Sequence, residues 1–207
     1  MTKNTLANTL NPKSLYARDG FYIHPNSVIS KDALTAAALG LAQVREGVYD
    51  TNEKPDGCNW KPGDDPHKLC KIEQPQLACS ALRDALCSPL LGKLAGEVTG
   101  SKMVQVWWVQ GLYKPGSTIA TSAGNVGWHQ DESYWTTWEK GSELFTAWIA
   151  LSDVLPESGP MAFVQGSHQW GKLEGGNFFS QDLKSLRGGI KIPDGETWRE
   201  VADVMPE

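Results

Sequence analysis

The chain has 207 residues, with 19 Lys and Arg against 24 Asp and Glu, for a net charge of −5. That length suits one domain with a buried core, and an acidic balance without any Lys/Arg run argues against nucleic acid or an anionic membrane as partner. A mean hydropathy of −0.37 and the lack of an 18-residue apolar run exclude a transmembrane helix. The polar start Met1-Thr2-Lys3-Asn4-Thr5 has no signal-peptide core, which makes the cytoplasm the expected compartment.

Residues 1–18 are polar and read as a flexible arm. Gly20 to Ile23 reads as a short strand. Ser30 is a suitable N-cap for a helix over about Lys31 to Arg45, with Leu34, Leu39 and Leu41 among its apolar residues. Gly, Pro and Asp crowd residues 50–69, which predicts a long loop. Helical patterning returns over about Gln76 to Leu86. A further helix has Ser88 as cap and Pro89 at its first position, and it stops at Gly100.

Four cysteines, Cys58, Cys70, Cys79 and Cys87, fall between residues 58 and 87, and no Cys-x₂₋₄-Cys pair accompanies His67. Zinc spacing is thus missing, and free, mostly structural thiols are expected, with Cys79 and Cys87 on one helix face. From Met103 the pattern turns strand-like: Met103–Leu112, Leu144–Leu151 and the short Met161–Gln165 run, bounded by Gly159-Pro160 and Gly166. Helices followed by strands predict an α+β chain with an antiparallel sheet sandwich. No repeat or second domain is visible. One domain over 1–207 is expected, mainly helical over 19–100 and sheet-rich over 103–207.

The chemistry concentrates in Gly127-Trp128-His129-Gln130-Asp131-Glu132-Ser133-Tyr134-Trp135. Side chains two apart on extended backbone share a side, so His129 and Asp131 converge. One imidazole and one carboxylate make two thirds of the two-His-one-carboxylate triad that holds non-haem Fe(II). His-x-Asp alone is also what a surface His beside a turn Asp looks like. Gln130 points away from that convergence. Of nine Trp, five (Trp107, Trp108, Trp128, Trp135, Trp138) lie within 32 residues around the motif; rings of this kind line small-molecule pockets or fill a sandwich, and about half are expected at a cavity.

The ordered set Asp19-Gly20-Phe21-Tyr22-Ile23, Lys71-Ile72-Glu73, Val106-Trp107-Trp108-Val109-Gln110, Tyr113-Lys114-Pro115-Gly116, His129-Gln130-Asp131, Ala147-Trp148-Ile149-Ala150-Leu151, Ser158-Gly159-Pro160-Met161 and Gly166-Ser167-His168 resembles the phytanoyl-CoA dioxygenase family of Fe(II)/2-oxoglutarate oxygenases. The resemblance runs from about Asp19 onward. It implies a double-stranded β-helix, a cupin-like jelly roll with N-terminal helices packed outside. It also implies Fe(II) held by His129 and Asp131, and 2-oxoglutarate as cosubstrate near Lys71, Gln110 and Trp148. The cosubstrate would be decarboxylated to succinate and CO₂ while a small molecule is hydroxylated with O₂.

The second metal His and the 2-oxoglutarate-binding Arg of the family have no counterpart before residue 207. The resemblance therefore implies an amino-terminal fragment with an incomplete barrel, inactive and aggregation-prone alone, whose last residues, Trp198 to Glu207, form no closing strand. His168 matches a family turn whose His is generally not a ligand, and Ser167-His168 lacks a nucleophile elbow. The competing class is a non-catalytic jelly-roll domain binding small molecules at a degenerate metal site. A Trp-rich lining suits an apolar or a cationic ligand.

Overall fold

The computed structural model describes residues 11–114, 125–139 and 141–202. Residues 1–10 of the expected arm, Pro115-Gly116 and positions 203–207 lie outside the described residues. The chain is an α+β protein of five α-helices and two small antiparallel sheets among the described residues.

Helix α1 spans Pro12–Asp19, where an arm was expected. Its ends explain it: the Asn11 side chain accepts from Ser14 N, Pro12 sits in the first turn, and Gly20, at φ 84°, closes the C-terminus with its N–H on the Tyr16 carbonyl. Residues 20–23 then leave the helix without joining a sheet, so the predicted strand there does not form. Helix α2, Lys31–Arg45, has the predicted bounds, and the Ser30 side chain accepts from Ala33 N.

The long loop carries the short strand β1, Gly57–Cys58, which pairs antiparallel with β2, Cys70–Glu73. Strand β2 in turn pairs with β3, Gln110–Tyr113. Strand β3 is shorter than the Met103–Leu112 run predicted; Val106, Trp107 and Trp108 are exposed, and among the described residues no ladder partner faces them. The Leu144–Leu151 run likewise forms no strand, although Ile149 and Leu151 pack on the core.

The single helix expected over 76–86 is split into a 3-10 turn, Pro75–Leu77, and α3, Ser80–Leu86. Cys79 precedes α3 and is buried, while Cys87 follows it and is exposed, so the two do not share a face. Helix α4, Pro89–Thr99, ends at Gly100 in the left-handed region, as predicted. It packs against α1.

The core lies between α2, α3 and the first sheet: Ala37, Leu41, Val44, Cys70, Ile72, Ala78, Leu82 and Ala85 are all buried. Leu41 presses on Gly111 so closely that a Cβ there would stand 2.6 Å from its Cδ1. The Arg45 guanidinium is stacked between Trp60 (3.7 Å) and Tyr113 (4.4 Å), which covers an otherwise costly charge with two π faces.

Beyond residue 125, β4 (Ala162–Val164) pairs with β5 (Glu200–Ala202). The tail thus does supply a strand. Its partner is β4, because Val201 faces Phe163 across the ladder. Helix α5, Leu183–Gly189, is capped by Asp182. Among the described residues the sheets do not close into a barrel.

Candidate metal and cosubstrate site

The site is built on a backbone pairing that joins residues fifty apart. Gly127 N donates to the Phe178 carbonyl at 3.0 Å and Asn177 N donates to that of Trp128 at 2.9 Å. Gly127 has no room for a side chain: a Cβ would lie 2.0 Å from the Asn177 carbonyl oxygen. This pairing fixes the backbone of Gly127 and Trp128, which bends at Trp128, just ahead of His129. A 3-10 turn, Asp131–Ser133, follows, entered from extended Gln130 (φ −115°, ψ 124°).

His129 and Asp131 meet, with Nε2 3.1 Å from Oδ1. The other ring nitrogen, Nδ1, is 2.7 Å from the Gly127 carbonyl oxygen. A carbonyl accepts only, so Nδ1 carries a proton and the Nε2 lone pair of the neutral ring is aimed at a carboxylate oxygen. Two acceptors at that separation need a cation, whether a proton or a metal, to join them. Thr146 Oγ1 donates to the second oxygen, Oδ2, at 2.7 Å. An imidazole and a carboxylate, each oriented by an outer hydrogen bond, are two donors that could hold a metal ion, and 3.1 Å suits two cis ligands about 2.1 Å from one ion.

Electrostatics agree. Burial works to lower the His129 pKa, but the bonds to Asp131 and the Gly127 carbonyl outweigh it, and the pKa is raised. The Asp131 carboxyl is lowered, chiefly by its hydrogen bond with His129, against burial.

Aromatic rings enclose the imidazole. Phe178 lies 4.9 Å and Tyr134 5.9 Å from it, both edge-on, and the Tyr134 hydroxyl accepts from Phe178 N at 3.0 Å. Gln130 turns away, as its alternation predicts, donating to the Gly171 carbonyl and accepting from Leu173 N, both at 2.8 Å. His129 also borders a cavity of about 170 Å³, walled by Phe21, Trp128, Phe163 and Trp198 among others. Phe21 stacks on Phe163 at 4.8 Å, and Trp128 meets Trp198 edge-on at 5.0 Å. Of the nine Trp, Trp128 and Trp198 reach this cavity, whereas Trp107, Trp108 and Trp138 are exposed.

The remaining predicted residues fall into different places. Lys71 on β2 and Gln110 on β3 meet at Glu73: Lys71 Nζ is 2.9 Å, and Gln110 Nε2 3.3 Å, from Glu73 Oε1. Lys71 Nζ also stands 5.6 Å from the Phe178 ring centre, one ring away from His129. Neither lines the cavity beside His129, nor does the half-buried Trp148. His168 stands across that cavity, but its Nε2 is bonded to the Ala17 carbonyl at 3.0 Å, at the end of α1. Among the described residues no group of three His, Cys, Asp or Glu is assembled, and no helix is long and apolar enough to cross a membrane.

Sequence reasoning missed Thr146, Phe178 and Gly127. Nothing in a lone Thr fifteen residues past Asp131 marks it. A glycine two before the His, within an aromatic run, is the one signal that could have been used.

A family model, phytanoyl-CoA dioxygenase, matches residues 16–203. The chain belongs to the phytanoyl-CoA dioxygenase family. No curated protein and no solved structure matches it.

Proposed function

We propose that the chain is an Fe(II)- and 2-oxoglutarate-dependent dioxygenase that hydroxylates a small molecule, on a double-stranded β-helix. Family membership supports the class. The observation that carries the reading is the His129–Asp131 contact, with Nδ1 committed to the Gly127 carbonyl and Nε2 left for a cation. His129 and Asp131 would hold the iron; Lys71, Gln110 and Trp148 would receive the cosubstrate.

Bound iron with 2-oxoglutarate supplies the oxidising chemistry, decarboxylation to succinate and CO₂ coupled to hydroxylation of a C–H bond. The chain's own work is positional. Thr146 fixes the Asp131 carboxylate, the Gly127 carbonyl fixes the imidazole, and Phe178 and Tyr134 pack edge-on against the ring. The aromatic cavity supports an apolar substrate, with O₂ as the second reactant.

A second reading, a non-catalytic jelly-roll domain with a degenerate site, rests on the lack of a third ligand among the described residues. Anaerobic Fe(II) titration with 2-oxoglutarate, followed by succinate measurement after O₂ is admitted, decides between the two. Iron-dependent succinate, lost in His129→Ala and Asp131→Ala, supports the enzyme. Iron binding without succinate supports the binding domain.

A further inference from the structure

Three donors converge on the carboxylate of Glu73, at the end of β2. Lys71 Nζ stands 2.9 Å from Oε1, Gln110 Nε2 donates to the same oxygen at 3.3 Å, and Trp108 Nε1 donates to Oε2 at 2.7 Å. Strand geometry brings two of them together. Glu73 pairs with Gln110 across the ladder and Lys71 lies two residues back on the same face, while Trp108 reaches in from the irregular segment just before β3.

An ammonium, an amide and an indole N–H set around two oxygens are what a carboxylate ligand requires. The Lys71 and Glu73 side chains are 26% and 22% exposed, so the pair is screened less than an open surface ion pair. Burial alone would raise the Glu73 carboxyl, but its donors outweigh this and keep it below the usual range, hence ionised. The cluster is linked to the metal-ligand pair through Phe178, which touches both Lys71 and His129.

We propose that Glu73 is an internal counter-ligand: its carboxylate fills a carboxylate-recognition site formed by Lys71, Trp108 and Gln110, and an incoming 2-oxo dicarboxylate must displace it. This rests on the dioxygenase reading for the identity of the ligand. Glu73 then sets the affinity for the cosubstrate without touching the reacting atoms. It acts as a positioning residue, holding the donors in register when no ligand is present and opposing the ligand's negative charge.

The test is titration of the metal-free chain with 2-oxoglutarate and with glutarate, a dicarboxylate without the chelating keto oxygen, read by Trp fluorescence and calorimetry. Glu73→Gln, equal in shape but uncharged, is expected to bind both roughly fivefold or more tightly than the unmodified chain. Adding Lys71→Met should abolish that gain. Glu73→Asp, which keeps the charge, should show no gain. Far-UV circular dichroism checks the fold, and Glu73→Ala, which must show the same gain, replaces Glu73→Gln if that variant is unfolded. Unchanged or weaker binding in Glu73→Gln, or a gain that survives Lys71→Met, overturns the assignment. Tighter glutarate binding, with no Fe(II)-dependent gain for 2-oxoglutarate, leaves Glu73 as proposed and removes the dioxygenase reading. Fe(II)-dependent 2-oxoglutarate binding that Glu73→Gln does not alter removes the Glu73 assignment alone.

Discussion

Thr146 donates its hydroxyl to Asp131 Oδ2 at 2.7 Å, the oxygen that His129 leaves free. The carboxylate is thereby held at both ends and cannot rotate about its last bond without losing one partner. Outer-shell bonds of this kind commonly carry a large share of metal affinity. Thr146→Val keeps the shape and removes the donor. It should weaken Fe(II) binding by roughly 10- to 100-fold, while Thr146→Ser stays near the parent value. Anaerobic calorimetry provides the measurement, and equal affinities for the Val and Ser variants would dismiss the role.

Gly127→Ala should damage the site through the backbone. Its Cβ would meet the Asn177 carbonyl oxygen at 2.0 Å and also approach the Leu186 side chain. Overpacking of this sort costs about 1–3 kcal/mol. A lower thermal midpoint together with loss of iron binding is expected. A variant with unchanged midpoint and affinity would mean that the 127–178 pairing is not needed.

Asp19 should give the fold a measurable pH dependence. Its buried carboxylate accepts from Arg18 (2.7 and 2.6 Å) and from Gln165 Nε2 (2.9 Å), 146 residues away. The Arg18 bond is the main reason its pKa is lowered, against burial. A lowered carboxyl stabilises the folded state fully above its unfolded value, about 3.9, and the contribution is lost as pH falls through the folded value. The thermal midpoint of Asp19→Asn should therefore lie below the parent's at neutral pH, and the gap should close below about pH 3.9. A gap that persists unchanged at low pH would contradict this.

Alkylation should sort the four thiols into two classes. Cys58 and Cys87 are exposed, and Cys70 and Cys79 are buried. Burial, aided by the contact with Cys58 Sγ at 3.7 Å, pushes the Cys70 thiol up to about 12. Iodoacetamide at about pH 8 reacts with thiolates, so native protein should take two labels and denatured protein four. Peptide mapping that found Cys70 labelled in the native state would refute the assignment.

Local signals were readable wherever local chemistry decides structure. Ser30 with Lys31–Arg45 and Pro89 with Gly100 announced two helices whose caps lie within a few residues. His129 and Asp131 do meet, as their i, i+2 spacing suggested, but across a bend at Trp128 and a 3-10 turn from Asp131 rather than within a strand. Signals failed where a partner distant in sequence decides. Met103–Leu112 looks like one strand by composition, yet only the part opposite Cys70–Glu73 is paired. Helix α1 was hidden because its sequence, PKSLYARD, has little apolar patterning. Thr146 and Phe178 belong to the site only because the chain returns to His129 from afar.

That return has a consequence for biogenesis. The residue before His129 is pinned by Asn177, and the preceding glycine by Phe178. A nascent chain that has emerged only as far as Asp131 holds both His129 and Asp131, but not the Asn177–Phe178 segment that braces them. Some fifty more residues must leave the ribosome before the imidazole is braced, a long loop to close at an entropic cost. If His129 and Asp131 hold iron as proposed, loading should come late, after synthesis has passed Phe178, and shorter stalled chains should emerge without metal.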